Sequence, residues 1–170
     1  MMKKILLLSD THSFLDARVL KYAKEVDEIW HAGDIGSFDV TDTLKRIKPL
    51  RAVYGNIDNA SIRQEFPSEM YFELEGVNIF MTHIGGRPKR YAKGISEKLT
   101  TLKPDLFICG HSHILNVAYD DSKSVLYLNP GAVGKHGFHK KQTMLRFELN
   151  KGKAQNLVVI ALGDKASANL

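Results

Sequence analysis

The sequence predicts an α/β protein: two packed β-sheets with helices on their outer faces. Residues 4–54 alternate short apolar runs with segments of helical period, the pattern of a parallel sheet with right-handed crossovers. After residue 70 the chain turns strand-rich, with closely spaced runs separated by turn residues. Clusters of Asp, His and Asn fall just after several of these runs, where an open α/β sheet presents its ligand-binding crevice.

Residues 4–9, built on the continuous apolar run Ile5 to Leu8, are expected as a central strand buried on both faces. Residues 14–26 carry Leu15, Val19, Leu20, Ala23 and Val26 near helical spacing, with Ser13 available as N-cap. A strand is expected at 28–31, a helix at 39–47 stopped by Pro49, and a strand at 50–54. Strands at 70–74 and 77–82 are joined by Glu75-Gly76, a hairpin turn. A helix at 90–102 precedes Pro104 and a strand at 105–109. Further strands are expected at 115–119, 125–129, 143–149 and 155–160. Residues 1–162 make one domain, and the small, polar residues 163–170 a loose tail.

The apolar run near the N-terminus spans only Ile5 to Leu8, short of the about seven residues of a secretory signal core. No run approaches the roughly 20 residues that cross a bilayer. The single Cys109 excludes an intramolecular disulfide, fits a reducing cytoplasm, and sits in an apolar run as a buried, inert thiol. A net charge of +5 favours anionic partners, but no aromatic residues interleave with the basic ones as single-stranded nucleic acid would require.

Five clusters carry the chemistry: Asp10-Thr11-His12, Gly33-Asp34, Gly55-Asn56-Ile57-Asp58, Thr82-His83 and Gly110-His111-Ser112-His113. Singly, each has a structural explanation: Asp10 as a helix cap, Asn56 as a turn residue, His83 as an interior histidine. In this order they resemble the motifs of the calcineurin-like metallophosphoesterases, in their small single-domain bacterial and archaeal branch. The resemblance runs through most of the chain and implies the four-layer α-β-β-α sandwich of that family. It also implies two divalent metal ions, with Asp10, His12, Asp34 and His113 holding the first. Asp34, as the bridge, joins Asn56, His83 and His111 around the second. Asn56 and His83 would also position the phosphate. The activity implied is hydrolysis of a small phosphate ester, most of all a phosphodiester, by a hydroxide bridging the ions. The alternative is a metal-binding protein-interaction scaffold, the use one relative in the retromer coat makes of this fold.

The i, i+2 spacing of Asp10 with His12 and of His111 with His113 puts each pair on one face if the backbone stays extended. Imidazole, carboxylate and amide donors together suit Mn²⁺, Fe²⁺, Zn²⁺ or Ni²⁺ better than Ca²⁺, and the resemblance favours manganese. Nucleic acid and membrane partners are not expected, and assembly into dimers or tetramers stays open.

Many family members have histidine where this chain has Ile57, and that histidine is assigned to protonating the leaving oxygen. Isoleucine cannot do so. Asp58 would then hydrogen-bond a metal ligand. Residues 134–141, a basic loop with His136 and His139, form either a solvated hairpin loop or a source of a group near the leaving oxygen. Arg87 is either part of a solvent-facing turn or a contact to a substrate phosphate. His31 is expected as a strand-end packing group or as a support behind the metal ligands, and the role of Asn129-Pro130-Gly131 is open.

Overall fold

The computed structural model describes residues 1–164. One sheet has the order β12-β11-β1-β2-β3, formed by Lys153–Asp164, Lys141–Asn150, Lys3–Leu8, Glu28–His31 and Leu50–Ala52. The other runs β4-β5-β8-β10-β9, formed by Glu69–Leu74, Val77–Thr82, Leu106–Ile108, Val125–Pro130 and Leu115–Asp120. Both are mixed. β1, β2 and β3 are parallel in the first, and β5, β8 and β10 in the second. These six strands place their C-terminal ends around the site described below.

Alternation along β1 decides the layering. Ile5 and Leu7 enter a core between the sheets with Trp30, Ile79, Met81, Leu106, Ile108, Leu145 and Phe147. Leu6 and Leu8 face the other way, onto helices α1 (Ala17–Lys24) and α2 (Phe38–Lys45) through Val19, Ala23, Val40 and Leu44. A third cluster joins Phe80, Phe107 and Tyr127 to Ile95 and Leu99 of helix α4 (Ile95–Leu102) on the outer face of the second sheet. The result is the α-β-β-α sandwich. A run buried on both faces has no polar side to alternate, which explains the unbroken apolar stretch of β1.

The Glu75-Gly76 turn has φ of 52° and 78°, the doubly left-handed backbone of the hairpin turns that match strand twist. Three elements differ from expectation. Helix α1 begins at Ala17 with Asp16 as its cap, because residues before it are drawn into the site; Ser13 sits at φ 65°. The segment before α4 is a small hairpin, β6 (Gly86–Arg87) with β7 (Arg90–Tyr91), not helix. A short helix α3 (Ala60–Glu65), too brief for a periodic pattern, follows the third cluster. Asn59 caps α3 by accepting the Ile62 N–H at 3.1 Å. Asn59→Ala is expected to cost about 1 kcal/mol in urea unfolding.

The last strand continues to Asp164, two residues into the segment expected to be loose; residues 165–170 lie outside the described residues. Cys109 is buried, and burial pushes its thiol up to about 12. No helix among the described residues is long and apolar enough to cross a membrane.

Candidate metal centre

All seven expected ligands converge in one cleft where the two sheets meet. Asp10 and His12 follow β1, Asp34 follows β2, and Asn56 follows β3. His83 follows β5, while His111 and His113 follow β8. Asp10, His12 and His113 form one group whose donor atoms lie within 4.8 Å of one another, and Asp34, His83 and His111 form a second. Asp34 faces both: its Oδ2 is 3.3 Å from His12 Nε2 and its Oδ1 is 3.2 Å from His83 Nε2. Asn56 Oδ1 meets His111 Nδ1 at 2.9 Å, beside the second group.

The convergence does not come from extended backbone, as the i, i+2 spacing suggested. Asp10, His12, Asp34, His111 and His113 all have positive φ, between 45° and 69°. Asp, Asn and His tolerate this region better than most residues, at some local cost that the surrounding structure must offset. Here the loops are tied together. Asp10 N–H donates to Gly33 O and His12 N–H to Asp34 O, so the first ligand loop runs along the second. Thr11 Oγ1 donates to Ile35 O at 2.8 Å and accepts from His31 Nε2 at 3.0 Å, with His31 Nδ1 accepting from Gly33 N–H. Burial pushes His31 down to about 4, keeping the ring neutral for this bridging role.

Asp58 accepts from the N–H groups of Ile35, Gly36 and Gly55, at 2.7–3.1 Å. It therefore grips the backbone beside Asp34 and Asn56, rather than a ligand side chain as expected. Arg63 of α3 donates to the carbonyls of Asn56 and Asp58, and no sequence signal marked it. Buried Asn129 donates to Gly110 O and Ser112 Oγ, giving the Asn-Pro-Gly turn a role in holding the His111–His113 loop. Ser9 Oγ and His111 N–H both donate to Asp10 Oδ2, leaving Oδ1 for the cleft.

Three cleft atoms, Asp10 Oδ1, His12 Nε2 and His83 Nε2, are buried without a well-formed hydrogen bond. Buried polar atoms in that state call for a partner. His83 Nδ1–H donates to Ala32 O at 2.7 Å, which fixes the tautomer with the Nε2 lone pair turned inward, the usual arrangement of a ligating imidazole. These residues fit a pair of divalent cations. Burial alone would raise the Asp34 carboxyl, but the rings of His12 and His83 outweigh it and hold it well below the usual carboxylate range. Burial likewise opposes a charged His83, while the Asp34 hydrogen bond and the Asp10 charge raise it above the ordinary 6.5.

A cation bound at His83 has to displace that proton. Mn²⁺ titration at pH 6.5 is expected to release a proton from His83, with release fading as pH rises through its raised pKa. Calorimetry in buffers of different ionisation enthalpy measures this, and release that does not change with pH would remove His83 from the ligand set.

Of the remaining expected residues, His136 and His139 both line the cleft, of about 560 Å³. The His136 ring stacks on His12 at 4.6 Å, and His139 meets His113 edge-on at 5.1 Å. Ile57 contributes its backbone, donating to Asp34 Oδ1 at 3.1 Å, while its side chain stays exposed at the cleft wall. Arg87 lies outside the cleft, on β6.

A family model of the calcineurin-like phosphoesterase superfamily domain matches residues 2–152. The chain belongs to this superfamily. Among calcineurin-like relatives, a probable metallophosphoesterase of Methanocaldococcus jannaschii is 30% identical over 135 residues. That match covers 74% of this chain and 66% of the relative, just under two thirds of its length. Among solved structures, an archaeal phosphodiesterase is 23% identical with a TM-score of 0.69, covering 92% of this chain and 99% of that one. Vps29 of Chaetomium thermophilum is 15% identical with a TM-score of 0.74, covering 96% and 99%. At these identities the two structures speak for the fold alone.

Proposed function

We propose that the protein is a metal-dependent phosphodiesterase using two divalent ions, with Mn²⁺ as the expected ion. The observation that carries this reading is the position of Asp34, whose two oxygens each face a different histidine group at 3.2–3.3 Å. A single carboxylate shared in this way suits ions about 3.5–4 Å apart. Such a pair, when bound, supplies Lewis-acid stabilisation of phosphoryl charge and a hydroxide at neutral pH.

The chain's own residues supply the frame. Asp58, Asn129 and the Thr11–His31 pair hold the ligand loops before substrate arrives, so little reorganisation accompanies reaction. His136 and His139 wall the side of the cleft next to His12 and His113. Ile57, Ile114 and Phe138 line the cleft with exposed apolar side chains, suited to an ester bearing an aryl or similarly apolar group. With isoleucine at position 57, no side chain there protonates a poor leaving group.

Bis(p-nitrophenyl) phosphate is expected to be hydrolysed with Mn²⁺, to resist hydrolysis in EDTA, and to be cleaved again when Mn²⁺ is restored. Dialkyl phosphates should react about 10²–10⁴-fold more slowly than their basic leaving groups alone would dictate. If the protein binds two ions but turns over no ester with Mn²⁺, Ni²⁺, Zn²⁺ or Fe²⁺, the scaffold reading replaces this one.

A further inference from the structure

A second cavity of about 340 Å³ adjoins the metal-centre cleft and shares His111, Ser112 and Ile114 with it. The chemistry proposed above does not use it. Arg87 and Arg90 line it from the β6–β7 hairpin, where they stand directly opposite each other in register. Like charges so placed repel. Both are exposed, and neither guanidinium has a hydrogen bond or ion pair among the described residues, which is also true of exposed Arg46; Arg18, Arg51, Arg63 and Arg146 each meet a carboxylate or carbonyl. Two opposed, uncompensated guanidiniums beside a phosphoesterase cleft make a receptor for an anion.

The hairpin that carries them is firmly seated. Buried Tyr127 donates its hydroxyl to Gly86 O at 2.6 Å, and the Cys109 thiol donates to Tyr127 from below. Ala92 N–H donates to Gly85 O at 3.0 Å. A side chain at Gly85 would meet Cys109 and Phe107 at 2.7 Å, so the backbone lies flat on the core. The hairpin backbone is thus fixed, and the two exposed arginines extend from it.

Ile84 and Ile114 also line this cavity, with 44% and 66% of their surface exposed. Apolar walls next to a paired cationic group suit a planar apolar body that ends in an anion.

We infer that this cavity takes the leaving portion of the substrate: a nucleobase-like body bearing a second phosphate that meets Arg87 and Arg90, while the ester phosphate lies at Asp34. The inference rests on the phosphodiesterase reading and narrows its substrate class to phosphodiesters whose leaving group is a phosphorylated nucleoside. A simple aryl ester would leave the two guanidiniums without a partner.

Titration calorimetry on Mn²⁺-loaded protein would compare adenosine 3′,5′-bisphosphate, AMP and fructose 1,6-bisphosphate, with phosphate release followed in parallel to separate turnover from binding. The adenosine bisphosphate is expected to bind about tenfold more tightly than AMP, the gain of one charge-assisted contact. It should also outbind fructose 1,6-bisphosphate, which has two phosphates but no planar body. In the double variant Arg87→Ala/Arg90→Ala the preference over AMP should vanish. Equal binding of AMP and adenosine bisphosphate by the wild type overturns the inference, as does a preference that survives in the double variant. Wild-type hydrolysis of bis(p-nitrophenyl) phosphate with Mn²⁺ tests the underlying reading separately. If the diester is cleaved but the nucleotide preference is missing, the phosphoesterase stands and the subsite falls. If the preference is present but no ester is cleaved, the cavity is a nucleotide site and the hydrolytic reading falls.

Discussion

Asp34→Asn is expected to lower Mn²⁺-dependent hydrolysis of bis(p-nitrophenyl) phosphate by about 10²–10⁴-fold in kcat/KM. The substitution keeps the shape of the side chain and removes the charge and one acceptor oxygen. Since each Asp34 oxygen faces a different histidine group, one group meets an amide N–H in place of an oxygen and the other keeps only a neutral amide oxygen. Several kcal/mol of transition-state stabilisation depend on the paired cations, and 1.36 kcal/mol corresponds to tenfold in rate. Two further readouts do not need turnover. Bound metal, measured by elemental analysis, should drop below two ions per chain. The His83 pKa, followed by NMR on metal-free protein, should fall, because the Asp34 hydrogen bond and charge are among the causes that raise it. Two bound ions and unchanged turnover in the variant would mean that Asp34 is not shared.

Gly55→Ala should damage the site as severely while leaving every donor in place. A Cβ at this position would lie 2.0 Å from Asp34 Oδ1 and 2.3 Å from Asp34 N. The carboxylate oxygen can swing away, but the backbone nitrogen has no such freedom, so the Asp34 loop must shift. Misplacement by about 1 Å is enough to cost about 10²-fold in rate. Overpacking should also lower stability by about 1–3 kcal/mol, read from urea unfolding. An active Gly55→Ala enzyme with wild-type metal content would show that the loops are more compliant than their hydrogen bonds imply.

Much of this arrangement can be read from the sequence, because strand ends in an α/β sheet are where ligands gather and the chain marks each end with Asp, Asn or His. The double burial of β1 is legible for a related reason: Ile5–Leu8 leaves no polar face. What is not legible is backbone conformation. Nothing in Asp10-Thr11-His12 announces φ of 57° and 45°, which arise from hydrogen bonds to Gly33 and Asp34 more than twenty residues away. The same tertiary pull displaced the start of α1 from Ser13 to Asp16. Asp58 was legible as important but not in its partner, since a carboxylate that accepts three backbone N–H groups leaves no pattern in the sequence. The β6–β7 hairpin is not legible because two-residue strands carry no period, and in the sequence Arg90 reads as the start of a helix.

The division of the ligands between two sheets has a consequence for how the protein is made. Asp10, His12, Asp34 and Asn56 are synthesised first, but their counterparts His83, His111 and His113 follow only after the second sheet has begun. β1 itself lies mid-sheet and needs β11, where Lys3 pairs with Leu149, before its layer is complete. Pairings this distant in sequence close slowly. A nascent chain therefore holds only part of each candidate group, and the donors meet in full once both sheets have docked. An ion held by both groups would then enter after folding, and its identity would depend on which divalent metal is free at that moment as much as on the donors.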